Sequence, residues 1–277
     1  MPVLGLGVWQ MAAGAETEQA VEWALEAGYR HIDTASIYRN EQSVGAALRR
    51  SGLPREQVFV TTKLMPAHPS AARELGMSLE RLGLDYVDLY LIHWPLPLLS
   101  GRLWRQLESL QENGLVREIG VSNFGRDRLE TLKRGTTRTP AVDQVQFSPF
   151  RYRRRLLDYC LEQGIVFEAY SPLERGQGLQ DPTITALAER LGRTPAQIML
   201  RWAIQHQAVV IPKSSHKERI YSNAQLFDFE LADNDMQILD ALDRTNGSAR
   251  APAASVTLAP GQAQAVAGLF GRHHQDD

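Results

Sequence analysis

Eight short apolar runs, each followed by a segment whose apolar residues repeat at helical spacing, recur along the 277 residues of this chain. The runs are Val3–Val8, Tyr29–Asp33, Val58–Thr62, Val87–His93, Val116–Val121, Ala141–Val145, Ile165–Tyr170 and Ala208–Ile211. Rich in Val, Ile, Leu and Tyr, they read as strands buried on both faces. The helical segments are Glu16–Ala27, Glu41–Arg50, Ser70–Leu82, Leu103–Asn113, Arg126–Lys133, Arg154–Gln163, a longer stretch at 182–206, and Lys217–Ala224. Asp181-Pro182 and Thr194-Pro195 each set a capping side chain ahead of a proline at the first helical position, so 182–206 divides into two helices. Gly28, Gly83, Gly114, Gly135 and Gly164 fall just after helices, where a left-handed cap favours glycine.

Successive strands start roughly 24 to 29 residues apart, except the last interval of about 43, which the extra helix at 195–206 explains. The units share a pattern and no sequence signature, which argues against a solenoid. Eight strand–helix units in about 225 residues match a closed α/β barrel, the (β/α)8 TIM barrel, which typically takes ~250. An open doubly wound sheet would need two protected edge strands, and none of the eight runs is more polar than the rest. Beyond about residue 245 the chain turns Ala-, Gly- and Pro-rich without periodicity. One barrel domain over 1–245 and a tail over 246–277, placed to join the substrate pocket, are expected.

Composition excludes several classes of partner. With 43% hydrophobic residues and 22% charged, the chain is an ordinary globular one, and its net charge of −2 offers no general field for nucleic acid or anionic lipid. No apolar run is long enough to span a bilayer, no secretory signal opens the sequence, and the lone Cys160 suits a reducing compartment. The expected location is the cytoplasm, and the expected state a monomer, with a dimer as the alternative.

In such a barrel the active site lies at the C-terminal ends of the strands. Those ends carry Trp9 and Gln10, Asp33 with Tyr38, Lys63, His93 with Trp94, Ser122 with Asn123, Gln144, Tyr170 with Ser171, and Lys213 with Ser214. A phenol is a poor acid at neutral pH, but a neighbouring ammonium lowers its pKa. Lys63 in that role, held by Asp33, would let Tyr38 protonate a developing alkoxide while His93 hydrogen-bonds a carbonyl oxygen. The seven histidines show no zinc spacing, and His273-His274 read as solvated, so no metal is expected and a diffusible nicotinamide is the natural hydride source. Gly5-Leu6-Gly7 belongs to the first strand and is not a dinucleotide-binding turn. The run from Ile211 to Arg219 opens a helix with N–H groups, hydroxyls and cations, which suits a phosphate.

The blocks "GYRHIDTASIYRNE", "TTKL", "LGLDYVDLYLIHWP", "REIGVSNF", "AYSPL" and "VVIPKSSHKERI" resemble those of the aldo-keto reductases, closest to the bacterial branch with the 2,5-diketo-gluconate reductases. The resemblance implies reduction of aldehydes or ketones with NADPH. It implies Tyr38 as general acid, Lys63 and Asp33 as its tuning pair, and His93 as the carbonyl-orienting residue. Ser122, Asn123 and Gln144 match the holders of the nicotinamide carboxamide, and Tyr170 the aromatic that stacks on the ring, with Ser171 and Leu173 beside it. Lys213, Ser214 and Arg219 match the site of the adenosine 2′-phosphate, with Asn223 near the adenine, where Ser222 replaces a common acid. Trp9 and Trp94 match walls of the substrate pocket. The family's N-terminal hairpin is missing ahead of "MPVLGLGVWQ", so an uncovered barrel bottom is expected, and short loops at 93–104 and 171–181 point to an open mouth. The alternatives are an NADPH-binding regulatory subunit with little turnover, like relatives that sit on potassium channels, and an aldolase using Lys63 as a Schiff-base nucleophile.

Overall fold

The computed structural model describes all residues except 66, 67, 69, 97, 98 and 247–277. The expected tail, with His273 and His274, therefore lies outside the described residues. Eight strands run parallel and in sequential order: β1 Leu6–Gly7, β2 His31–Asp33, β3 Phe59–Leu64, β4 Val87–Ile92, β5 Val116–Ser122, β6 Val142–Gln146, β7 Val166–Tyr170 and β8 Val209–Ile211. The last strand returns to the first through a parallel Leu4·Val210 bridge and the Gly5 N–H···O Val210 hydrogen bond of 2.8 Å, which closes the barrel.

Ten helices are present among the described residues: α1 Ala15–Glu26, α2 Glu41–Arg50, α3 Ala71–Leu82, α4 Ser100–Glu112, α5 Arg126–Arg134, α6 Arg154–Glu162, α7 Pro182–Leu191, α8 Pro195–Gln205, α9 Lys217–Ala224 and α10 Asp233–Asp240. The division of 182–206 follows the caps. Asp181 accepts from the Thr183 and Ile184 amides, and Thr194 forms a reciprocal capping box with Gln197. Gly83, at φ 66°, ends α3 in the expected left-handed turn, but Gly135 sits at φ −111° and needs no glycine-specific conformation. The acid-rich α10 was not expected. It is tied down by Trp202 and His206 of the α8 end, which share Asp240 Oδ1 at 2.7 and 2.8 Å.

Alternation along each strand separates two apolar layers. Outward residues such as Ile32, Val60, Tyr90, Ile92, Phe167 and Ala169 join the large core between sheet and helices, while Leu89, Leu91 and Val142 form a smaller cluster inside the barrel. Inward positions nearer the strand ends are polar: His31, Asp33, Thr61, Lys63, Gln144 and Glu168 are all buried. The glycines of β1 provide clearance for this layer. A Cβ on Gly5 would stand 2.7 Å from His31 Nδ1, and one on Gly7 would stand 2.9 Å from the Ile211 carbonyl oxygen. At the strand starts, Val3 and Val166 are exposed, with relative accessibilities of 45% and 37%. Among the described residues no helix is long and apolar enough to cross a membrane.

Candidate active site

The inward alternation of β2 and β3 carries Asp33 and Lys63 to the end of the barrel, and a single turn of 3-10 helix at Ser36–Tyr38 folds the tyrosine back over them. Lys63 Nζ donates to Asp33 Oδ1 at 2.6 Å, to the Thr34 carbonyl at 2.9 Å and to Tyr38 Oη at 3.3 Å. All three ammonium protons are thereby used. Burial, the largest single effect, pushes the Lys63 pKa down, but the Asp33 charge and hydrogen bond together with Tyr38 and Glu168 reverse this, and the pKa lies above its usual value. A permanently charged, fully engaged ammonium is the opposite of the neutral amine that a Schiff-base nucleophile needs.

The tyrosine departs from the sequence expectation. Lys63 does favour the phenolate, yet burial outweighs it and pushes the Tyr38 pKa up to about 12. At neutral pH the group is therefore a protonated donor. Burial, and then the Lys63 charge, hold the His93 imidazole well below its usual pKa, so it is neutral and keeps one N–H to give. Its ring meets Tyr38 edge-on with centroids 5.7 Å apart and stacks on Trp94 at 3.7 Å.

The cluster forms part of a cavity of about 760 Å³. Of the sequence-selected residues, Trp9, Asp33, Tyr38, His93, Trp94, Ser122, Asn123, Gln144, Tyr170, Ser171, Leu173, Lys213, Ser214, Arg219 and Asn223 all line it, and Lys63 lies just beneath. Asn123 and Ser171 follow β5 and β7 in left-handed turns, at φ 63° and 48°, sparsely populated conformations for side-chain-bearing residues. The Asn123 amide is fixed on both sides. Its nitrogen donates to the His93 carbonyl at 3.2 Å and to Ser122 Oγ at 3.0 Å, and its oxygen accepts from Tyr170 Oη at 2.9 Å. Ser122 Oγ in turn donates to the Gln144 carbonyl at 2.9 Å.

At the other end of the cavity, Lys213 follows β8 and Arg219 lies in the first turn of α9. Among the described residues neither has an ion-pair partner, whereas Lys217 turns away to Glu26 at 3.7 Å. Two unpaired cations beside a helix N-terminus suit a phosphorylated ligand. Three further residues were not expected from the sequence: Arg175, stacked 4.8 Å from the Trp9 ring, and the buried pair Glu168 and His31 below Gln144. The signal for Glu168 was present as a carboxylate inside the apolar run Val166-Phe167-Glu168-Ala169-Tyr170.

At its C-terminal mouth the closed parallel barrel holds a phenol, an ammonium and a carboxylate in one hydrogen-bonded chain. A profile of the Aldo/keto reductase family matches residues 3–244. The chain is 45% identical over 247 residues to the glyoxal reductase of Bacillus subtilis, covering 88% of this chain and 90% of that one. It is also 45% identical to the 9,11-endoperoxide prostaglandin H2 reductase of Trypanosoma cruzi, over 88% of each chain. The crystal structure of an aldo/keto reductase from Brucella melitensis superposes with a TM-score of 0.84 at 44% identity, covering 88% of this chain and 95% of that one. The chain belongs to the aldo/keto reductase family and is an oxidoreductase with the TIM-barrel fold.

Proposed function

We propose that this protein reduces aldehydes and ketones to alcohols with NADPH, with Tyr38 as the proton donor and His93 orienting the carbonyl oxygen. The observation that carries the reading is the Asp33–Lys63–Tyr38 chain under a cavity whose far end holds Lys213 and Arg219, neither of them ion-paired among the described residues. The residues present fit NADPH: a carboxamide can meet the uncapped Gln144 oxygen, and a 2′-phosphate the two cations. When bound, NADPH supplies the hydride.

The chain's own residues do the rest. Neutral His93 gives its N–H to the substrate oxygen and leaves the carbonyl carbon open. As that oxygen gains charge it becomes a far stronger base than a phenolate, so the Tyr38 proton moves to it downhill. The resulting phenolate lies 3.3 Å from Lys63 Nζ, whose charge stabilises it, and Asp33 holds that charge in place. Trp9 and Trp94, both half-buried, wall the substrate side. Ser171 and Leu173 would border the bound cofactor, Ser214 would lie beside its phosphate, and Asn223 would lie by its adenine.

The reading includes a barrel domain over 1–245, action on small carbonyl compounds as a cytoplasmic monomer, and kinship with the bacterial 2,5-diketo-gluconate reductases. The short loops around the mouth support broad specificity. A panel of aldehydes, ketones and keto acids assayed with NADPH and NADH tests it. Tyr38→Phe should lower turnover by roughly 10²–10⁴-fold, the usual contribution of a positioned acid, while NADPH binding is retained. Normal reduction of an activated benzaldehyde by Tyr38→Phe would show the proton donor to be elsewhere.

A further inference from the structure

Below the Asp33–Lys63–Tyr38 chain, the inward face of β7 carries a second carboxylate, Glu168, which has no part in the reduction as described. It is wholly buried. Its Oε2 accepts from Gln144 Nε2 at 2.8 Å, and the same nitrogen donates to Asp33 Oδ2 at 2.8 Å. An amide nitrogen has two hydrogens, so both are used on carboxyl oxygens. Turning the amide over would set its oxygen against the Asp33 carboxylate and lose both bonds that its nitrogen donates. The amide is therefore locked, and its Oε1, which receives no hydrogen bond from any described residue, remains available to the cavity that Gln144 lines.

Asp33 alone would leave one N–H of Gln144 without a partner in the barrel interior. The groups around Glu168 are Asp33 and His31 on β2, Lys63 on β3 and Gln144 on β6. His31 Nε2 stands 3.6 Å from Glu168 Oε1 and makes its hydrogen bond to Thr61 Oγ1 at 3.1 Å. Burial, reinforced by the Asp33 charge, pushes the Glu168 pKa up to about 8, and burial pushes His31 down to about 3. Placing this carboxyl group here costs stability, and among the described residues its hydrogen bond to a cavity residue is the one to Gln144.

We infer that Glu168 is a positioning residue for the cofactor: with Asp33 it locks the Gln144 amide so that its carbonyl oxygen accepts from the NH2 of the nicotinamide carboxamide. The inference rests on the proposed reading that a nicotinamide occupies this end of the cavity. Acting through Gln144, Glu168 touches neither substrate nor cofactor.

The test compares the affinities of NADP⁺ and its 3-acetylpyridine analogue, in which a methyl group replaces the carboxamide NH2 and the carbonyl remains. Titrations are made on the wild type, Glu168→Gln and Glu168→Met, with thermal melts of each. The wild type should prefer NADP⁺ by about fivefold, the effect of one hydrogen bond. Glu168→Gln keeps an acceptor for Gln144 and should keep that ratio. Glu168→Met removes one of the two acceptors that hold the amide, and its ratio should fall to within about twofold of unity. A merely structural role would lower the melting temperature and weaken both ligands alike, with the ratio unchanged. The wild-type ratio surviving in Glu168→Met overturns the inference. So does its loss in a folded Glu168→Gln, which decides the matter where Glu168→Met does not fold. A wild type that binds both ligands equally refutes the role of Glu168 and leaves the cofactor reading intact, whereas one that binds neither refutes both.

Discussion

Removing Lys213 and Arg219 tests the cofactor reading at the point where the structure makes it quantitative. Both cations are exposed and, among the described residues, unpaired, so no internal ion pair is broken and no buried charge is left behind. Each can make a charge-assisted bond to a phosphate, roughly 1.5–3 kcal/mol in general, and solvent exposure puts the value at the low end. At about 1.4 kcal/mol per tenfold, each alanine substitution should weaken NADPH by about tenfold and the double substitution by about a hundredfold. NADH lacks the 2′-phosphate and should change by less than about twofold on the same scale. Quenching of protein fluorescence by each cofactor, titrated at low and at physiological salt, reads both numbers. The NADPH advantage should shrink with salt in the wild type, since exposed charges more than about 8 Å apart are largely screened at 0.15 M. Equal weakening of NADPH and NADH in the double variant would refute the reasoning, because it would assign these cations to the pyrophosphate or to the fold.

Three further outcomes follow from the barrel interior. Asp33→Asn leaves the wholly buried Lys63 charge without its counter-ion and should cost roughly 3–5 kcal/mol of stability by urea unfolding, where a loss below about 1 kcal/mol would show that the charge relaxes to water. The His31 pKa is depressed from 6.5 to about 3, so the unfolded chain binds the extra proton and the contribution of this residue is lost as pH falls from about 6.5. Comparing His31→Gln with the wild type, the difference in unfolding free energy between pH 6.5 and 5 should be roughly 2 kcal/mol, and no difference would mean His31 is already charged in the native state. Gly5→Ala puts a methyl group 2.7 Å from His31 Nδ1 and should lower the Tm by roughly 3–10 °C, while an unchanged melt would show that the His31 ring can move aside.

The architecture was legible because each strand is buried on both faces, which writes it as an apolar run, and because each connection is a helix with its own cap or apolar stripe. The closure of the sheet was legible from the absence of a polar edge run. The strand-end rule then drew Asp33, Tyr38, Lys63 and His93 together without any geometry. What escaped was decided by three-dimensional neighbours. The balance between burial and Lys63 that sets the Tyr38 pKa depends on how much water reaches the phenol, which no spacing reports. Glu168 and His31 interrupt apolar runs, but which partner each meets depends on the register between β6 and β7, where Gln144 lies opposite Glu168. Helix α10 has no strand ahead of it, so the repeating pattern gave no reason to look for it, and its anchor is the indole and imidazole that converge on Asp240.

The seam between β8 and β1 also bears on how the chain is made. Gly5 finds its hydrogen-bond partner in Val210, almost the whole length of the barrel later in the sequence. During synthesis the growing sheet therefore presents an unpaired β1 edge, and a moving second edge, until β8 emerges. Trp9 stands just past one side of the seam and Lys213 just past the other, so the cavity is incomplete before closure. A nascent or truncated chain lacking β8 exposes open edges that invite aggregation, and it also lacks the cavity residues that follow β8, Lys213 and Arg219 among them.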